Sequence, residues 1–158
     1  MTGGSNKRVS LAALIAVRPG HRPRLIYRTR RPGDQHKGFT EKDYARLLDA
    51  AHQQLGGPLV VVWDNLNAHI SGAMAELITA RDWLTVYRLP PYAHELNPVE
   101  RAWAHLKRSL ANLARHTISQ LTALIKTRLR RMQYQADLLD GFIASTGLDL
   151  TPFRNPRH

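Results

Sequence analysis

The sequence predicts an α/β domain, a small sheet flanked by helices, and three stretches carry that prediction. Leu59-Val-Val-Val-Trp63 is a continuous apolar run rich in β-branched residues, the pattern of a strand buried on both faces inside a parallel sheet. Before it, Arg8–Val17 and the alternating Arg24–Arg30 flank a Pro19-Gly20-His21-Arg22-Pro23 turn, which predicts an antiparallel hairpin. Around them, apolar residues recur at helical spacing behind capping signals.

Taken in order, a Gly/Ser-rich stretch, residues 1–7, precedes the hairpin and reads as a disordered tail. The polar segment 31–38 follows the hairpin as a loop. Thr40-Glu-Lys-Asp43 opens a helix with the stripe Tyr44, Leu47, Leu48, Ala51 and Leu55, ended by Gly56-Gly57-Pro58. The Trp63 strand stops at Asp64, and Asn65-Leu-Asn-Ala-His69 reads as a polar loop. A helix through Ala73, Met74, Leu77 and Ile78 leads to a short strand, Leu84–Arg88. Pro90 and Pro91 then force an extended segment. Leu96-Asn97-Pro98-Val99-Glu100 reads as a helix start, with Asn97 as cap and Pro98 at the first helical position. That helix runs to about Leu113, with Val99, Trp103, Leu106, Leu110 and Leu113 inward. Thr117 with Gln120 caps a basic helix carrying Leu121, Leu124, Ile125 and Leu129. Leu138, Leu139, Phe142 and Ile143 predict one more short helix before a tail, residues 148–158.

At 158 residues there is room for one domain with a real core, expected over residues 8–147. Cys is absent, which excludes a disulfide framework and a thiolate metal site and makes a reducing cytoplasm the expected home. No apolar run reaches the length of a membrane span, so no membrane partner is expected. The formal charge of +11 favours a polyanion, nucleic acid first. Its distribution is uneven. Residues 1–40 hold nine Lys or Arg against one acid, and residues 101–134 hold eight against none, whereas 41–100 hold four against eight. Two basic flanks enclose an acidic centre, as in a protein that grips phosphates while holding cations on carboxylates. A solvated basic surface is the alternative.

Val60-Val-Val-Trp-Asp64-Asn65-Leu-Asn-Ala-His69, then Leu89-Pro-Pro-Tyr-Ala-His-Glu-Leu-Asn-Pro-Val-Glu100 with Trp103 and Leu106-Lys107, closely resembles the DDE catalytic domain of mariner-related bacterial insertion-sequence transposases. The resemblance covers roughly residues 8–147. It implies a ribonuclease H-like sheet flanked by helices, and cutting and joining of double-stranded DNA at transposon ends. It implies two Mg²⁺ or Mn²⁺ ions held by an Asp, Asp, Glu triad, of which Asp64 is the second acid and Glu100 the third. A homodimer is also among the expectations.

The chemistry needs these residue types. Phosphodiester transfer requires in-line attack while charge develops on a leaving oxygen, and two metals about 4 Å apart stabilise both oxygens. Hard cations take oxygen ligands. On the resemblance Asp64 bridges both ions and Glu100 holds one. Asn65, His69 and Asn97 are expected behind the ligands or against DNA. Arg101, Lys107 and Arg108 are the candidates for phosphate contacts, Lys107 lying two turns beyond Glu100 with the small Ala104 between them. Each has a plainer alternative. Glu100 can be a capping carboxylate returning to the Asn97 backbone, and Asp64 can cap the loop that follows it. His69 can be an ordinary loop histidine. Lys107 and Arg108 can be a solvated face.

The chain departs from the family's pattern at its start. The family's first Asp lies on a strand just before the hairpin; nothing in residues 1–7 supplies it, and Asp34, which follows the hairpin, is excluded by chain order. The first acid of the triad and the central first strand are therefore expected to be missing, as is the family's helix-turn-helix reader. The two strands that would flank the missing one must either expose apolar edges or pair directly. Three readings follow: a transposase portion inactive alone, either a remnant or one half of a protein whose other half is encoded upstream; a basic DNA-binding module without catalysis; or a ribonuclease H-like nuclease using two carboxylates.

Overall fold

The computed structural model describes residues 10–18, 21–30, 38–91, 93–110 and 118–147. Both tails, Asp34, Leu113, the Thr117 cap and the first residues of the Arg8 strand lie outside them. The expected hairpin forms: β1 (Leu11–Ala16) pairs antiparallel with β2 (Arg24–Thr29), Leu14 opposite Ile26 and Ala13 opposite Tyr27. Side chains alternate across a strand, so this ribbon has two faces, and both are covered. Ala12, Leu14 and Ile26 face one helix, whereas Ala13, Ile15, Leu25 and Tyr27 face three others.

The single helix is α1 (Glu41–Leu55). It starts where the sequence predicts, because Thr40 and Asp43 close a reciprocal cap. The Asp43 amide donates to Thr40 Oγ1 at 3.3 Å and the Thr40 amide to Asp43 Oδ2 at 2.8 Å. That backbone bond, chiefly, holds the Asp43 carboxyl below the usual carboxylate range, against the opposing effect of burial. The helix ends at Gly56, whose φ of 66° an L side chain rarely adopts.

The second ribbon is β3 (Leu59–Trp63) beside β4 (Leu84–Arg88), parallel, with Val61 opposite Val86. Between them lie α2 (Asn67–Ile70), one helical turn where the sequence reading has a loop, and α3 (Gly72–Thr79), capped by Ser71. The parallel pairing is as expected; burial on both faces is not. Val61 and Trp63 point into a cluster with Leu48, Met74 and Leu84, but Val60 is 69 % and Val62 56 % exposed, and Tyr87 beside Val62 is exposed too. An unbroken apolar run records what a strand tolerates; among the described residues no helix lies over this face.

Among the described residues the two ribbons do not join. β1 and β3 each keep one edge unpaired, so of the two outcomes expected for a sheet without its central strand, the direct pairing does not occur. What connects the ribbons is α1. Leu47 and Ala51 pack under Ala12 and Ile26, Leu48 packs under Val61 and Trp63, and Tyr44, Leu14 and Leu59 touch both groups. Arg81 anchors the same helix to the β3–β4 unit, Nε donating to Asp49 Oδ1 at 2.6 Å and Nη2 to Oδ2 at 2.9 Å.

The remaining helices are α4 (Pro98–Leu110), α5 (Ile118–Gln133) and α6 (Ala136–Ser145). They cover the second face of β1–β2 with Ala102, Leu106, Ile125, Leu129, Met132, Leu139 and Phe142 around Leu25. Trp103 is half-buried against this core, as expected, and the contribution of Ala102 was hidden by its small size. Gln133 ties α5 to the sheet by donating to the Leu25 carbonyl at 2.8 Å.

Candidate functional site

Asp64 follows the last residue of β3, and the chain turns back on it immediately. The Leu66 amide donates to Asp64 Oδ1 at 3.1 Å, the loop-capping bond that an aspartate at a strand end commonly makes. The α2 turn then brings His69 round, and its Nδ1 lies 2.9 Å from the same oxygen and 3.3 Å from the Asp64 carbonyl. Both neighbours are acceptors, so Nδ1 carries the proton and donates. Oδ2 makes no hydrogen bond among the described residues.

His69 is fixed on both sides. Its ring stacks on Trp63, centroids 4.2 Å apart and planes within 6°, and meets the edge of Tyr44 at 4.6 Å. The imidazole side chain is only 10 % exposed, against 35 % for Asp64. His69 Nε2 and Trp63 Nε1 are both buried without a hydrogen-bond partner among the described residues. The Tyr44 hydroxyl titrates above its ordinary range, first because it is buried and second because the Asp64 carboxylate is near.

Asn65 turns the other way. Its side-chain amide donates to the Leu89 carbonyl at 2.8 Å, while the Leu89 amide donates to the Trp63 carbonyl at 2.7 Å. The exits of β3 and β4 are thereby clamped where the Pro90-Pro91 segment departs toward α4. A 3₁₀ turn, His94–Leu96, follows, and Asn97 caps α4 as predicted, its Oδ1 accepting from the Val99 amide at 3.1 Å. The Glu100 side chain is exposed and makes no hydrogen bond or ion pair among the described residues. The return bond to Asn97 that a capping role would give it is absent there. Arg101, Lys107 and Arg108 are exposed on the same helix, without carboxylate partners among the described residues.

The structure thus gathers Asp64 with His69 and, through Asn65, ties Asp64's loop to the segment leading to Glu100. No hydrogen bond joins the two acids. Among the described residues no three His, Cys, Asp or Glu side chains converge as a metal-holding group, and no helix is long and apolar enough to cross a membrane. The sequence reading missed Tyr44 and Trp63 as the walls around His69. Tyr44 sits on the core stripe of α1 and Trp63 ends an apolar run, so both signalled packing alone.

A family model described as DDE superfamily endonuclease matches residues 2–125. A comparison with curated proteins finds no significant match. Among solved structures, the Mos1 transposase catalytic domain with raltegravir and Mn is similar with a TM-score of 0.55 at 15 % identity, over 89 % of this chain and 83 % of that one. The Mos1 mariner transposase catalytic domain gives 0.54 at 15 % identity, over 89 % and 82 %. The Mos1 paired-end complex with the left transposon end gives 0.54 at 13 % identity, over 88 % and 54 %. At these identities the likeness establishes the fold, the ribonuclease H-like fold of a transposase catalytic domain. With the family model spanning most of its length, the chain belongs to the DDE superfamily of endonucleases.

Proposed function

We propose that this chain is the catalytic-domain portion of a DNA transposase of the insertion-sequence type, acting on double-stranded transposon ends, with Asp64 and Glu100 as ligands for two Mg²⁺ or Mn²⁺ ions. One observation carries the reading: Asp64 stands at the carboxyl end of a parallel strand with Oδ1 bonded twice and Oδ2 unengaged among the described residues. Carboxyl ends of such strands are where open α/β sheets place ligands. Glu100 adds a second carboxylate, unengaged among the described residues, at a helix start.

Two hard oxygen donors fit Mg²⁺ or Mn²⁺, which keep several waters and need few protein ligands. Bound there, the ions supply charge stabilisation at the attacking and leaving oxygens of an in-line displacement. The chain's own residues do the rest. Asp64 presents Oδ2, Asn65 clamps the strand exits, and Arg101, Lys107 and Arg108 offer donors to the phosphate backbone along the exposed face of α4. The Mos1 catalytic domain has been solved with Mn and with Mg, and Mos1 as a paired-end complex, which supports metal use, a DNA partner and a dimer here.

The family's triad has a third acid, and a strand bearing one would seat between the edges of β1 and β3 that are unpaired among the described residues, over α1. The test is reconstitution. The chain alone is expected to nick transposon-end DNA poorly, and an added peptide carrying that strand and its Asp should restore Mg²⁺-dependent nicking, abolished by Asp64→Asn. Efficient nicking by the bare chain that ignores Asp64→Asn sinks the proposal.

A second reading, a basic DNA-binding module, is favoured by the lack of a three-donor cluster among the described residues. Salt-sensitive DNA binding unchanged by Asp64→Asn and Glu100→Gln, with no nicking after reconstitution, is its signature. Nicking by the isolated chain that a chelator abolishes belongs instead to a two-carboxylate nuclease.

A further inference from the structure

We infer that His69 is a positioning residue that restricts metal ligation by Asp64 to Oδ2. The inference rests on the reading of Asp64 as a ligand and adds which of its oxygens serves, and what holds it.

A carboxylate oxygen has two lone-pair directions. At Asp64 Oδ1 both are in use, one by the Leu66 amide at 3.1 Å and one by His69 Nδ1 at 2.9 Å. A cation approaching Oδ1 would have to displace one of these donors. Oδ2, on a half-exposed side chain, makes no hydrogen bond among the described residues. Two N–H donors on one oxygen also fix the carboxylate's rotation, so Oδ2 faces a single direction. The backbone amide alone leaves a hinge about that bond; the imidazole removes it.

The imidazole can do this because it cannot move. Trp63 covers one face, Tyr44 meets the ring, and nine-tenths of the side chain is buried. Nε2 has no hydrogen-bond partner among the described residues, so burial of this ring leaves a polar atom unsatisfied there, a cost that a purely structural residue would not need to carry. An apolar ring in the same slot would avoid that cost. A donor on Nδ1 aimed at a carboxylate is the feature that an apolar ring cannot copy.

Two substitutions separate positioning from packing. His69→Phe keeps a ring between Trp63 and Tyr44 but has no donor, and His69→Asn keeps a donor near the Nδ1 position but has no ring. Titration of the full chain with Mn²⁺ alone, followed by the loss of the free-ion EPR signal, reads metal affinity; thermal unfolding reads stability. We expect His69→Phe to unfold at or above the parent temperature yet bind Mn²⁺ on the order of 10–100-fold more weakly, the usual effect of removing a partner behind a ligand. His69→Asn should unfold earlier yet stay within about threefold of the parent affinity on that same scale. Asp64→Asn should abolish the tight site. If affinity instead tracks stability, falling in His69→Asn and intact in His69→Phe, His69 only packs and the inference is overturned while the Asp64 reading stands. If Asp64→Asn leaves Mn²⁺ binding unchanged, or the parent shows no saturable binding, the ligand reading itself fails and the inference goes with it.

Discussion

The side-chain amide of Asn65 donates to the Leu89 carbonyl at 2.8 Å, across 24 residues of chain. It is a small bond with leverage, because Leu89 is the last residue before two prolines stiffen the path to Asn97 and Glu100. Asn65→Ala should lower stability by only about 0.5–1.5 kcal/mol, the net worth of one hydrogen bond. Its local effect should be larger: amide hydrogen exchange at Leu89 and Leu96 is expected to speed up, while exchange in α1 stays as it was. Equal acceleration throughout would show that the bond serves global stability only.

Acid should loosen α1 before it touches the rest. Asp43 is held below the ordinary carboxylate range by the Thr40 backbone bond, and Asp49 by the Arg81 side-chain bond. Folded values below unfolded ones mean that both contributions are fully present above the unfolded value of about 3.9, and fade as pH falls through the lower folded values. Asp49→Asn should therefore flatten the acid limb of a stability profile and leave the neutral plateau lower by at most about 1 kcal/mol, since the Asp49 side chain is 44 % exposed and its pair is partly screened by solvent. An unchanged limb in urea titrations between neutral pH and pH 3 contradicts this.

Local signals in the chain proved sufficient for local structure. The Thr40 and Asp43 cap, the Gly56 stop, the Asn97 cap and the apolar stripe of α6 each act within a few residues, and each element lies where those residues put it. The Asp64 strand was readable as a parallel strand for the same reason. Its outer face was not, because Val60 and Val62 are buried or exposed according to whether a distant helix covers them. The arrangement around Asp64 was half legible. Oδ1 capping follows from an aspartate at a strand end, but the His69 bond depends on one unforeseen helical turn and on Tyr44 arriving from α1.

Leu48 occupies the seam between the two ribbons, almost fully buried on α1 against Val61 and Trp63. Leu48→Ala should cost about 2–5 kcal/mol, the range for a buried leucine that leaves a cavity. Because α1 is what joins the ribbons, loss should be cooperative: far-UV and Trp fluorescence transitions in urea are expected to shift together. Two separated transitions would mean that β3–β4 folds without α1.

The exposed cations of α4 carry the last expectation. Lys107 and Arg108 have no acidic partner among the described residues, so a phosphate backbone would be their natural counterion. Replacing a phosphate contact removes counterion release, which lowers the slope of log affinity against log salt by about 0.9 per contact. Lys107→Ala with Arg108→Ala should therefore weaken binding to duplex DNA of any sequence and flatten the salt dependence by about 1.8 if both touch phosphates. The fold should be indifferent, since neither side chain is part of the Leu106 core. Glu100→Gln, next to Arg101 in the chain and with the like-charge repulsion of phosphate removed, should bind DNA slightly more tightly while losing metal-dependent nicking in the reconstituted assay. A double variant with parental affinity and slope would return these two cations to the solvated face and move the DNA track elsewhere on the basic surface.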